Sequence, residues 1–169
     1  MKTKILLLLI FPILWSCSSD DSDEYQNIPI DFQIPSNFPA ANYNFANNPL
    51  TEKGFELGKK LFYDGRLSSD GIVSCGFCHI QEDAFTHHGH TFSHGVGNAI
   101  GTRNASPIQN MVFQTTFMWD GAATHLDLQA IIPFSSEIER HGNIEKAINM
   151  MKNDAAYIKL YKHAFSNGE

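Results

Sequence analysis

Cys75, Cys78 and His79 carry the chemistry of this sequence: two thiols and an imidazole in the order C-x-x-C-H. That spacing is the attachment signal for a c-type haem. The thiols, a short turn apart, add to the two vinyl groups of one porphyrin. The following histidine then falls beneath the iron as an axial imidazole. Haem brings redox chemistry, which a protein tunes through the second ligand and the pocket. Zinc is the competing chemistry, because Cys75, Cys78, His90 and His94 come within one residue of a C-x2-C-x12-H-x3-H finger. A finger leaves His79 without a role. It also needs a helix from Thr86-His87-His88-Gly89-His90-Thr91, which two threonines and a glycine oppose.

The N-terminus agrees with covalent haem attachment outside the cytoplasm. Lys2 and Lys4 precede an apolar run from Ile5 to Leu14 that only Pro12 interrupts. The run is shorter than the about 20 residues a spanning helix needs, so residues 1–16 read as a signal peptide. Leu14-Trp15-Ser16-Cys17 resembles a bacterial lipobox, which implies lipid on Cys17, a membrane anchor and a cell-envelope location, on the periplasmic side or at the outer membrane. With Cys17 lipidated and Cys75 and Cys78 on haem, no cysteine is left for a disulfide. Ser18 to Glu24 is an acidic tether, and Gln26 to Pro49, with four prolines, reads as an extended arm; together residues 17–49 lead into the domain. The formal charge of −6 argues against nucleic acid as a partner. A small neutral substrate and a basic electron donor suit it.

The elements that must position the motif come from residues 50–169, enough for one domain. Thr51 caps a helix Glu52 to Tyr63 whose Gly54, Leu57, Gly58, Leu61 and Phe62 share a face; the two glycines cost stability and allow close packing. Asp64-Gly65 ends it, and Leu67 to Ser74 connects to the haem motif. Ile80 to Thr116 shows neither helical nor strand periodicity, a length that makes sense if loops wrap a buried macrocycle. Thr124-His125-Leu126-Asp127 resembles a capping box for a short helix to Ile132, stopped by Pro133. Ile144, Ala147, Ile148 and Met151 mark one further helix. Tyr157, Leu160, Tyr161 and Ala164 mark another, capped by Asp154 and ended by Gly168, with the methionines Met150 and Met151 expected in the core rather than on haem. The expected fold is mostly α, a cytochrome c-like haem domain with long haem-wrapping loops.

Several motifs in order then resemble the start of bacterial dihaem cytochrome c peroxidases and their MauG relatives. They are Leu57-Gly58-Lys59-Lys60-Leu61-Phe62-Tyr63-Asp64-Gly65-Arg66-Leu67-Ser68, the C-x-x-C-H, Ser93-His94-Gly95, Arg103-Asn104-Ala105-Ser106-Pro107, Phe117-Met118-Trp119-Asp120-Gly121, Gln129-Ala130, Pro133 and Ala164-Phe165. The resemblance implies that Cys75, Cys78 and His79 hold the peroxidatic haem. It makes His94 the distal ligand of the resting iron, and puts Asn104 near a calcium site between two haem domains. It places Trp119 between the haems, and Gln129 and Glu139 in the peroxide pocket. Glu139 lies in Ile138-Glu139-Arg140, where the family usually reads aliphatic-Glu-Met.

Peroxide cleavage needs a base to take one proton and an acid to return it, and Glu139 serves both if its pocket raises its pKa. The implied reaction reduces hydrogen peroxide to water with electrons from a small cytochrome or cupredoxin. A MauG-like oxidase is the alternative enzyme, although histidine rather than tyrosine at the distal position favours the peroxidase branch. A monohaem electron carrier, with Met111 or Met118 as sixth ligand, is the alternative without peroxide chemistry. His94 stands about two residues further from Arg103-Asn104 than the family pattern has it. The family also has a second domain with its own C-x-x-C-H and is expected to dimerise when full-length. This sequence is read as the first haem domain with the second absent, whether as a fragment, a truncated product or a subunit that borrows its electron-transfer haem.

Overall fold

The computed structural model describes residues 28–165. The segments expected to be a signal peptide, a lipidated Cys17 and an acidic tether, and the expected helix end at Gly168, lie outside the described residues. Among the described residues six α-helices follow one another, α1 Glu52–Tyr63, α2 Cys75–Cys78, α3 Leu126–Gln129, α4 Ile131–Ser135, α5 Ile144–Lys152 and α6 Ala155–Ala164. Short 3-10 turns lie between them, and β-structure among the described residues is limited to isolated bridges. Among these residues no helix is long and apolar enough to cross a membrane.

The three longer helices begin on side-chain caps. Thr51 Oγ1 accepts from Gly54 N at 3.2 Å for α1. Asn143 Oδ1 accepts from Lys146 N at 2.9 Å for α5, and Asp154 Oδ1 from Ala156 N at 2.9 Å for α6. The helices then bury one stripe each. Leu57 of α1 meets Tyr157 and Ala164 of α6, with Leu61, Met150, Met151, Leu160 and Tyr161 packed around them. The methionines of α5 are core residues, as their spacing indicates. Tyr157 is 2% exposed, and its hydroxyl reaches out of the core to donate to Asp64 Oδ2 at 2.8 Å. Removing a buried leucine such as Leu57 from a seam of this kind costs about 2–5 kcal/mol. The α1–α6 crossing is thus the rigid base on which α2 is carried.

Three local readings of the sequence are corrected. Gly58 faces open space, with nothing within 4 Å of an added Cβ, so it permits no close packing; at Gly54 the added Cβ would meet Thr51 Oγ1 at 2.8 Å. Thr124 is not the cap of α3: His125 occupies that position without a side-chain bond, while Asp127 accepts from Tyr43 OH at 2.7 Å instead. Pro133 does not stop a helix but stands inside α4. It sits in the first turn, where its missing N–H would have had no helical partner anyway. Helix α6 ends at Ala164, its last turn closed by Phe165 N donating to Tyr161 O at 2.9 Å.

Residues 28–49 run without helix along the domain. They pair with the start of α1 through Ile30 N donating to Leu50 O at 3.0 Å. The Phe38 ring packs at a tilt against Phe113 with centroids 5.0 Å apart.

Candidate haem site

Ser74 starts the site by accepting from Phe77 N at 3.1 Å, which winds Cys75–Cys78 into a single helical turn. Gly76 is required there, because a Cβ would lie 2.5 Å from the Tyr63 ring at the end of α1. Both thiols are free and half-buried. Burial pushes both thiols up, Cys78 to about 11, with the Arg140 cation pulling the other way at each.

His79 closes α2, and its ring is oriented by the backbone. Ala84 and Phe85 both adopt left-handed φ (57° and 58°), folding residues 80–86 back so that Ile80 N donates to Thr86 O at 2.9 Å. This turn presents the Phe85 carbonyl to His79 Nδ1 at 2.8 Å. A carbonyl only accepts, so Nδ1 carries the proton and Nε2 keeps its lone pair, the arrangement a metal-binding imidazole needs.

His94 arrives on a tight hairpin. Gly101 N donates to Ser93 O and Gly95 N to Ala99 O, each at 2.8 Å. His94 Nδ1 faces Asn98 Oδ1 at 3.0 Å, which again leaves Nε2 with a lone pair. The hairpin leans on the segment carrying Glu139: Val96 N donates to Glu139 O at 2.9 Å. The Cys78 thiol donates to His94 O at 3.4 Å, which ties the hairpin to α2 as well.

A cavity of about 430 Å³ brings these elements together. Cys78, His79, His94, Asn104, Gln129 and Glu139 all line it. Its size falls within the roughly 300–1,000 Å³ of small-molecule and cofactor pockets. Glu139 is half-buried rather than a surface glutamate, and burial raises its carboxyl above the usual range. Gln129 Nε2 donates to Met118 Sδ at 3.3 Å, holding the amide at the cavity wall. Trp119 does not line the cavity and is not core. It is 63% exposed on the rim, between the lining residues Met118 and Asp120, and its Nε1 donates to Asn104 O at 2.9 Å. Asn104 Nδ2 donates to His87 O at 2.9 Å, and its Oδ1 accepts from Ala105 N at 2.9 Å.

Among the described residues no group of three or more His, Cys, Asp or Glu is placed to hold a metal ion. The zinc-finger set Cys75, Cys78, His90 and His94 is therefore not assembled. His90 instead stacks on His87 at 5.1 Å and meets the His94 ring edge-on at 4.8 Å. His88 lies at the surface beside Asp83. A haem fits what is present: two thiols on one helical turn, an imidazole with Nε2 available, a second such imidazole and a cavity of cofactor size.

Two determinants escape inspection of the sequence. The Phe85 carbonyl has no side-chain signature. Arg140, next to Glu139 in sequence, turns away from it to put Nη1 3.2 Å from Cys75 Sγ. Gly95 belongs to a sequence motif, but its reason is tertiary: a Cβ there would lie 1.9 Å from Ile138 O.

Helices α1 and α6 crossed behind a haem-attachment turn, with loops around a cavity, define a cytochrome c-type haem domain. Residues 52–169 match the model of the di-haem cytochrome c peroxidase family, and the chain belongs to that family. It is 35% identical over 122 residues to methylamine utilization protein MauG of Methylorubrum extorquens, covering 72% of this chain and 34% of that one. It is 34% identical over 117 residues to cytochrome c551 peroxidase of Pseudomonas aeruginosa, covering 69% of this chain and 34% of that one. A crystal structure of a MauG-like protein associated with microbial copper homeostasis superposes with a TM-score of 0.73 at 33% identity, over 81% of this chain and 40% of that chain. The chain thus spans about a third of the length of these curated relatives.

Proposed function

We propose that this chain is the peroxide-reacting haem c domain of a di-haem cytochrome c peroxidase, turning hydrogen peroxide into water with electrons from a small cytochrome or cupredoxin. The observation that carries this reading is the convergence of His79, His94, Gln129 and Glu139 on one cavity, with the Glu139 carboxyl raised by burial. Cys75 and Cys78 would hold the haem, His79 would be its axial imidazole through Nε2, and His94 would be the second imidazole of the resting form. When bound, the haem would supply the iron that meets peroxide and the electrons that reduce it. Overall, one peroxide takes two electrons and two protons to give two waters.

The chain's own residues handle the protons and the alignment. Glu139, ionised, takes the proton from the attacking peroxide oxygen and returns it to the departing oxygen, which leaves as water. A carboxyl raised by burial is a better base than an ordinary glutamate and holds the proton it takes more readily until the departing oxygen receives it. The Gln129 amide donates to peroxide from the wall and aligns it. Trp119, at the rim with its ring toward solvent and its indole N–H fixed on Asn104, is the proposed point of electron entry. Residues 17–49 would tether the domain to a membrane of the cell envelope through lipid on Cys17. A calcium ion near Asn104 and a homodimer of the full-length protein complete the proposal.

A MauG-like oxidase is the second reading, favoured by the 35% identity to a MauG protein. Stopped-flow mixing with peroxide tests the leading one. The 169-residue chain, with one C-x-x-C-H, should turn over slowly even with excess reduced donor. His94→Gly should speed its reaction with peroxide, and Glu139→Gln in that background should slow it by about 10²-fold or more. Equal rates with and without Glu139 would remove the proton role from this residue.

A further inference from the structure

Arg140 is a buried cation with an unusual set of partners. It is 6% exposed. Its Nε donates to Val73 O at 3.2 Å, Nη1 to Cys75 Sγ at 3.2 Å and Nη2 to Asp64 O at 3.5 Å. Its guanidinium carbon lies 5.5 Å from the centre of the Phe134 ring. Carbonyls, a thiol and an aromatic face satisfy its N–H groups without cancelling its charge. Among the described residues, the ion pairs formed by arginine belong to Arg66 and Arg103, and none to Arg140. Guanidinium does not lose its proton in proteins, so the charge is permanent.

A permanent charge at this depth is costly to bury unless something repays it, because one side chain's worth of desolvation is several kcal/mol. The segment that places it is firmly built. Arg140 N donates to Ser136 O at 3.2 Å, and Ser69 N donates to Arg140 O at 3.0 Å, so the residue is held at both its backbone groups. The side chain therefore points at Cys75 by construction. The same backbone carries Glu139 to the opposite, cavity-facing side.

We propose that Arg140 is a positioning residue that sets the reduction potential of the haem at Cys75, its buried positive charge favouring the reduced iron. This rests on the haem c reading above. Reduction adds one electron and removes one positive charge from the iron centre. A fixed cation beside the thioether sulfur opposes the more positive oxidised state, and low surrounding polarity keeps the effect from being screened. The ordinary alternative is that Arg140 only braces Val73, Asp64 and Phe134. A brace would alter folding without regard to the sign of the charge.

The test compares Arg140→Met, Arg140→Gln and Arg140→Lys in protein matured with haem, by potentiometric titration of the absorption spectrum. A pyridine haemochrome assay on each denatured variant first reports covalent haem, independently of potential. Wild type without covalent haem would sink the underlying haem reading. With haem attached, Met and Gln should shift the oxidised-to-reduced equilibrium about tenfold toward the oxidised form, equal to 59 mV for one electron. Lys should keep most of the wild-type potential. Equal potentials in wild type, Met and Gln would overturn the proposal, as would a Lys variant that shifts as far as Met. Loss of attached haem from all three variants would also overturn it, and would assign Arg140 to haem attachment instead.

Discussion

The amide of Val96 donates to the carbonyl oxygen of Glu139 at 2.9 Å, which ties the hairpin that carries His94 to the segment that carries the cavity carboxylate. Gly95 makes the contact possible. An added Cβ there would sit 1.9 Å from Ile138 O and 2.6 Å from Glu139 O. Gly95→Ala should therefore push the hairpin off the segment, at a cost of about 1–3 kcal/mol for overpacking. With haem attached and His94 as the proposed second ligand, the oxidised spectrum should change from low spin toward high spin. A spectrum identical to wild type would show that the hairpin has room the structure does not reveal.

Each thiol should be separately necessary for a full attachment. Cys75→Ser and Cys78→Ser should each retain at most one thioether, and the double variant should lose all haem on denaturation in acid and organic solvent. Haemochrome spectra distinguish the cases, since each saturated vinyl group shifts the band. Wild-type haem retention by the double variant would contradict the assignment of these thiols.

Glu139 should leave a signature in the pH profile of the peroxide reaction. Its carboxyl is raised by burial, so the ionised base disappears as pH falls through a value above the ordinary glutamate pKa of about 4.3. The rate should decline on the acid side above that ordinary value, and Glu139→Gln should abolish that limb. An acid limb unchanged in Glu139→Gln would assign it to another group.

Asp64 should make the fold sensitive to acid. Its pairing with Arg66, together with the hydrogen bond from Tyr157, holds its carboxyl down to about 2 despite partial burial. A depressed carboxyl contributes stability that is present above its unfolded pKa of about 3.9 and lost as pH falls through the folded one. Wild type should thus lose stability between about pH 4 and pH 2 more steeply than Asp64→Asn. Tyr157→Phe removes a hydrogen bond to a charged group and should cost about 1.5–3 kcal/mol at neutral pH. Denaturant unfolding at several pH values measures both, and parallel pH curves for wild type and Asp64→Asn would refute the role of this carboxylate.

Much of this molecule is legible in its sequence because the relevant physics is local. Thr51 and Asp154 cap their helices as their residue types indicate, and the stripe of Leu57 and Leu61 faces that of Tyr157 and Leu160 as helical spacing requires. The reading fails where two local rules compete. At His125 the residue with the better capping side chain, Thr124, loses to its neighbour, and Pro133 is accommodated in a first turn. It fails again where tertiary contacts decide. Arg140 meets Cys75 across 65 positions of chain, and the left-handed φ of Ala84 and Phe85 belongs to residue types that seldom adopt it. Gln129 and Glu139 stand in ordered motifs of the sequence, whereas their burial and partners follow from the fold alone.

The two imidazoles of the site are oriented by different kinds of acceptor, a main-chain carbonyl for His79 and a side-chain amide for His94. No single substitution can delete the Phe85 carbonyl, whereas Asn98 can be exchanged by changing one codon. The His79 side is therefore insulated from sequence drift, and the His94 side is adjustable. A lineage diversifying from this chain can retune or release the His94 imidazole in one step while keeping the His79 arrangement intact. The asymmetry builds mutational robustness into one face of the site and evolvability into the other.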